Sequence, residues 1–138
     1  MGLIPVLGVF NRRNYTTYVH RMVIGSAGSI TSQDPGSDSG VVAALNGVAV
    51  GQYTLTLTGT GNNKSGMRQY LGCTAAITGP TGATAFGTGG ITMFMRDNNI
   101  DAGLRNNTCM IQFAAGSPPV ATDITSGYTV TMTIKVAT

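Results

Sequence analysis

From residue 126 to residue 136 the chain reads SGYTVTMTIKV, and its side chains alternate between apolar and polar throughout. Tyr128, Val130, Met132, Ile134 and Val136 fall on one face of an extended chain, and Thr129, Thr131, Thr133 and Lys135 on the other, the pattern of a half-buried β-strand. The stretch GQYTLTLT at 51–58 repeats the design: glycine, then tyrosine, then apolar residues alternating with threonine. Threonine is β-branched and uncharged, so a threonine face packs against a neighbour as readily as it faces water. The polar side of these strands therefore reads as a surface that can be covered.

Other segments carry the same signal. YTTYVHRMVIG at 15–25 predicts a strand ended by the turn-rich SAGS, and 41–45 a short apolar strand. Asn46-Gly47 is a two-residue hairpin signal leading into 48–50 and the strand at 52–58. A strand at 67–78 is interrupted at Gly72, where a bulge is expected. Strands at 91–96 and 108–113 precede the last one. Between them, SQDPGSDSG at 32–40, GTGNNKSG at 59–66, GPTGATAFGTGG at 79–90, DNNIDAG at 97–103 and AAGSPPVATD at 114–123 read as turns and loops. About eight strands and no sustained helical periodicity predict an all-β fold, an antiparallel sandwich or jelly roll with the last strand central. Residues 1–14 read as an extended N-terminal arm and 15–138 as a single domain. The arm's Leu3, Ile4, Val6, Leu7, Val9 and Phe10 are too apolar to leave in water, so it packs on its own core or on a neighbouring subunit.

Composition sharpens this picture. Of the 138 residues 9% are charged, against about 25% in typical soluble domains, and every acidic residue is aspartate. With 42% hydrophobic residues the chain is not disordered, so its shortage of charge points to surface covered by assembly. The formal net charge of +3 is slight, and the basic residues are dispersed except for Arg12 and Arg13, which argues against direct nucleic-acid binding. No apolar run approaches the ~20 residues of a membrane-spanning helix. The start, broken by Pro5 and Gly8 and with its basic residues after the apolar part, does not read as a secretory signal. Val6 stands where a myristoylation signal wants serine or threonine.

Candidate chemistry is sparse. His20 is the single histidine and reads as a strand-face residue. Cys73 and Cys109 read as buried thiols in preference to a bridge, with no spacing suited to zinc. GTGNNKSG lacks the order of a phosphate loop. Asp34 and Asp38 read as solvated loop carboxylates. Asp97, Asn99 and Asp101 have the alternation of a calcium loop, but Ala102 stands where glycine is needed and Thr108 where a bidentate glutamate is needed. No cofactor, metal or catalytic residue is expected, and the chain is not expected to be an enzyme. Phe86, the large apolar residue of the 79–90 loop, is a candidate contact.

Taken together, HRMVIGSAGSITSQD, GQYTLTL, RDNNIDAG after ITMFM, and PPVATDITSGYTVTMTIKV resemble the small jelly-roll decoration, or cement, proteins of tailed bacteriophage capsids, and at the level of fold the trimeric jelly rolls of C1q and tumour-necrosis-factor type. The resemblance implies a homotrimer on the virion surface that contacts the major capsid protein and stabilises the shell by bridging coat subunits. Within it, Phe10 would anchor the coat contact and Arg12 and Arg13 would pair with coat carboxylates. The alternative is a receptor-binding or fibre-tip module contacting a host glycan or protein through the loop around Phe86.

Overall fold

The computed structural model describes residues 15–47, 49–58, 69–83, 90–97 and 108–137. In chain order these form strands β1 (Tyr15–Ile24), β2 (Ile30–Gln33), β3 (Val41–Leu45), β4 (Gln52–Leu57), β5 (Gln69–Thr78), β6 (Ile91–Asp97), β7 (Thr108–Ala115), β8 (Val120–Ala121) and β9 (Thr129–Ala137). A 3₁₀ turn (Ser26–Gly28) joins β1 to β2, and one helical turn, α1 (Gly36–Ser39), joins β2 to β3.

The strands pair into two antiparallel sheets, giving the expected all-β sandwich. The first has the order β2-β1-β9-β5, and the second β3-β4-β7-β6 with the two-residue β8 alongside β7. The last strand is central: β9 pairs with β1 from Tyr15↔Ala137 to Val23↔Thr129, and with β5 from Gln69↔Ala137 to Thr78↔Thr129. The ladder to β5 shifts register between Tyr70 and Gly72, where the sequence predicts a bulge.

Strict alternation sends one side of each strand inward. Val130, Met132, Ile134 and Val136 of β9 meet His20, Met22 and Ile24 of β1, and across the sandwich Tyr53, Leu55 and Leu57 of β4 and Ile111 and Phe113 of β7. Tyr53 and Phe113 pack edge to face with centroids 5.9 Å apart. Burying each large apolar side chain contributes about 1.5–3 kcal/mol relative to leaving it exposed.

The two long sides of the sandwich are built differently. On the β2/β3 side, inward-facing Val41 and Ala43 are buried, and a side chain stitches the sheets together. Gln33 of β2 donates Nε2–H to the Ala43 carbonyl at 3.0 Å and accepts the Ala43 N–H on Oε1 at 2.9 Å. On the β5/β6 side, by contrast, inward-facing Cys73, Ala75 and Ile77 of β5 and Ile91, Met93 and Met95 of β6 pack on the core only partly buried. Each edge strand there is paired on one side only among the described residues, β5 with β9 and β6 with β7. Among the described residues that side is an open seam.

Three local expectations differ from the structure. Asn46-Gly47 does not make a two-residue turn: β3 and β4 are joined by residues 46–51, and Ala49 and Val50 lie in a bend rather than a strand. The physical reason is that Gly51 is tied elsewhere, its N–H donated to Asp123 Oδ1 at 2.7 Å and its carbonyl accepting the Phe113 N–H at 2.9 Å. The turn therefore closes around Gln52, whose carbonyl accepts the Asn46 N–H at 2.8 Å. The stretch 32–40 is also not loop throughout. Ser32 and Gln33 end β2, paired to Val23 and Met22, and residues 36–39 make the helical turn. Lastly, Val120 and Ala121, expected in a loop, pair with Ala115 and Ala114.

Candidate interaction surfaces

The register of the first sheet sets out its outer face row by row. Thr17, Lys135 and Gly72 lie side by side, then Val19, Thr133 and Thr74, then Arg21, Thr131 and Ala76, then Val23, Thr129 and Thr78. Threonines dominate because each strand spends its apolar phase on the core. The two cations described on this face are both engaged. Arg21 lies 3.5 Å from the Asp34 carboxylate, which also accepts the Arg21 backbone N–H at 3.1 Å. Lys135 sits over the Tyr15 ring, 4.7 Å from its centroid.

The outer face of the second sheet has no charged residue among its described side chains. Val42, Thr56 and Thr108 form one row, Ala44, Thr54, Met110 and Asp97 the next, then Gln52, Gln112 and Phe94, then Ala114 and Thr92. Phe94 is 51% exposed and Val42 36% exposed. Gln52 and Gln112 are buried on this outer side because the 46–51 turn folds over them. Asn46 donates to Gln52 Oε1 at 2.8 Å, Gln52 to Gln112 Oε1 at 3.1 Å, and Gln112 to the Val50 carbonyl at 2.7 Å. Every amide in this relay has a partner, so the turn is held rigidly beside Phe94.

Groups capable of chemistry serve structure. His20 is fully buried, with Nε2 2.8 Å from Gln33 Oε1 and Nδ1 2.8 Å from Ser39 Oγ. Since Gln33 Oε1 can only accept, the proton sits on Nε2. Asp123 holds Gly51 and faces Tyr53, whose hydroxyl donates to the Gly28 carbonyl at 2.7 Å. Burial, with the Asp123 charge adding to it, pushes the Tyr53 phenol up to about 12. Cys73 and Cys109 are both thiols, as expected, and lie on strands of different sheets; Cys109 is buried and Cys73 only half-buried. Burial pushes the Cys73 thiol up to about 11, and its Sγ lies 3.9 Å from Met93 Sδ across the open seam. Among the described residues no cluster of three or more His, Cys, Asp or Glu side chains could hold a metal ion, and no helix is long and apolar enough to cross a membrane.

The open seam deepens into a cleft of about 470 Å³ lined chiefly by Ala75, Ile77, Ile91, Met93, Phe113 and Tyr128. That is within the size range of small-ligand sites. Its lining is apolar, though, and the Thr92 hydroxyl is turned to the Ala114 carbonyl at 3.3 Å.

Phe10, Arg12, Arg13 and Phe86 lie outside the described residues, as do Asn99 and Asp101 of the calcium-like stretch. The surface residue that reading the sequence missed is Phe94. Its signal was present: in ITMFMR, Ile91, Met93 and Met95 take the inward phase, leaving a large aromatic on the side where water would favour threonine. Compared with protein-family models, curated proteins and solved structures, the chain matches none.

Proposed function

We propose that this chain is a non-enzymatic structural protein of a tailed-phage virion, seated on the outer surface of the capsid as a homotrimer and stabilising the shell by bridging major capsid protein subunits. The observation that carries the assembly part of this reading is the outer face of the second sheet, which displays Phe94, Val42, Ala44 and Met110 among threonines with no charge on its described side chains. Charge depletion around an exposed aromatic is the composition of the buried centre of a protein–protein interface. The threonine face of the first sheet, with its two cations already paired, supports a second contact. The capsid as partner rests on the resemblance drawn from the sequence, and bridging would act by adding interface area between coat subunits.

The receptor-binding alternative rests on Phe86, and no described feature favours it. The experiment is mass spectrometry of purified virions from the phage that encodes the chain. The proposal expects its peptides in a fixed ratio to those of the coat protein, and release of the chain to lower the temperature at which shells rupture. Virions that lack the chain, or shells indifferent to its loss, would overturn the capsid reading.

A further inference from the structure

We propose that Asn46 is a site of covalent modification: the Gly47 backbone nitrogen displaces its side-chain amide, and the carboxylate left behind breaks the amide relay that holds the 46–51 turn. The inference stands independently of the virion reading.

Asn46-Gly47 is the one place in the chain where glycine follows asparagine. Glycine matters there because it has no Cβ to hinder closure of a five-membered ring between its nitrogen and the Asn46 Cγ. The fold leaves the attacking atom free. Gly47 is exposed, a Cβ built on it meets nothing within 4 Å, and among the described residues its N–H donates to no acceptor. Asn46 is only half-buried, and the bond from the Ala49 N–H to the Asn46 carbonyl, which spans the start of the turn, is long at 3.3 Å.

The reaction needs only water. The Gly47 nitrogen gives up its proton and forms a bond to Asn46 Cγ. The Cγ–Nδ2 bond breaks, and Nδ2 leaves with that proton as ammonia. Water then opens the cyclic imide at either carbonyl, leaving aspartate or isoaspartate at position 46.

The consequence follows from the direction of the relay. Asn46 Nδ2 donates to Gln52 Oε1 at 2.8 Å and to Met110 Sδ at 3.8 Å. Gln52 Nε2 donates to Gln112 Oε1 at 3.1 Å, and Gln112 Nε2 to the Val50 and Phe113 carbonyls at 2.7 and 2.9 Å. A carboxylate can only accept. At position 46 it opposes the Gln52 oxygen, and turning the Gln52 amide to meet it sets that oxygen against Gln112 Oε1. Turning Gln112 in its turn takes the donor from the Val50 carbonyl, so the turn loses its tie at the far end. The new charge lies beside Met110, on the outer face of the second sheet.

The test incubates the folded full chain at mildly alkaline pH beside Gly47→Ala and the urea-unfolded full chain, and follows replacement of NH2 by OH at position 46 by peptide mass. The folded chain should acquire aspartate and isoaspartate there. Gly47→Ala, whose added Cβ meets nothing, should react at least about tenfold more slowly. The consequence is read on Asn46→Asp and on the modified full chain separated by charge. In both, amides over 46–51 should exchange at least about fivefold faster than in the unmodified chain, with β1 and β9 unaffected.

A folded chain that keeps its Asn46 amide for as long as the unfolded chain takes to lose it would overturn the proposal, because the relay would then lock the amide in place. So would equal rates in the full chain and Gly47→Ala, which would exclude the Gly47 nitrogen as the attacking atom. Unchanged exchange over 46–51 in the separated modified chain would overturn the break in the relay, whatever the stability of Asn46→Asp.

Discussion

Gln33 and Ala43 belong to different sheets, yet they are joined as strand partners are, by an N–H···O bond in each direction at 3.0 and 2.9 Å. A glutamine side chain stands in for a peptide group, closes one long side of the sandwich and orients His20 behind it, with Nε2 2.8 Å from the same Gln33 oxygen. Truncation by Gln33→Ala leaves the Ala43 N–H and carbonyl and the His20 N–H without this partner. Each unmet buried group costs about 1–3 kcal/mol, so a loss of roughly 2–4 kcal/mol is expected in urea unfolding with unchanged slope. A change under about 0.5 kcal/mol would show that water replaces the amide at no cost.

Tyr53 makes stability sensitive to alkali. Its phenol is held protonated up to about 12, against 10.0 when unperturbed. The folded form therefore keeps a proton that the unfolded chain releases, so this contribution is fully present below pH 10 and is lost as pH rises from 10 through 12. The loss totals about 2–3 kcal/mol. Tyr53→Phe should be less stable at neutral pH by about 1 kcal/mol, from the unmatched Gly28 carbonyl, and should show a shallower fall between pH 10 and 12. Parallel pH curves for the two proteins would contradict this assignment.

Gly51 has a left-handed backbone with φ of +68°, and a Cβ there would run into the Thr122 carbonyl. Gly51→Ala should cost about 1–3 kcal/mol from the backbone conformation alone, with the clash adding to it. Gly47, whose Cβ would meet nothing within 4 Å, provides the control, and Gly47→Ala should be close to neutral by thermal unfolding.

The amide relay from Asn46 through Gln52 and Gln112 holds the 46–51 turn beside Phe94. Gln112→Leu leaves the Val50 carbonyl and the Gln52 amide unmatched. It should destabilise by about 1–3 kcal/mol and release the turn, seen as faster amide exchange over 46–51 with β1 and β9 unaffected.

The sandwich itself was legible because alternation is a local property: in β9 the side facing the core could be read from SGYTVTMTIKV, and the central place of that strand followed from its length and apolar face. What escaped the sequence depends on distant partners. Ser32 and Gln33 sit among turn residues, and only pairing with Val23 and Met22 makes them a strand. Asn46-Gly47 has the local chemistry of a tight turn, overridden by the ties of Gly51 to Asp123 and Phe113. Phe94 was legible as an outward aromatic, whereas the rows of threonine and apolar residues around it needed the register. The seam could not be foreseen at all, since its openness depends on which strands become edges.

The face around Phe94, without charge on its described side chains, is proposed to be covered by another copy of the chain. The most direct measurement is light scattering of the full chain beside Phe94→Asp. Coverage of this face predicts a trimer, three times the 14.2 kDa chain, that falls to monomers in the variant with its strand content intact. A full chain that stays at 14.2 kDa across the concentration range, or a variant that assembles equally well, would contradict it.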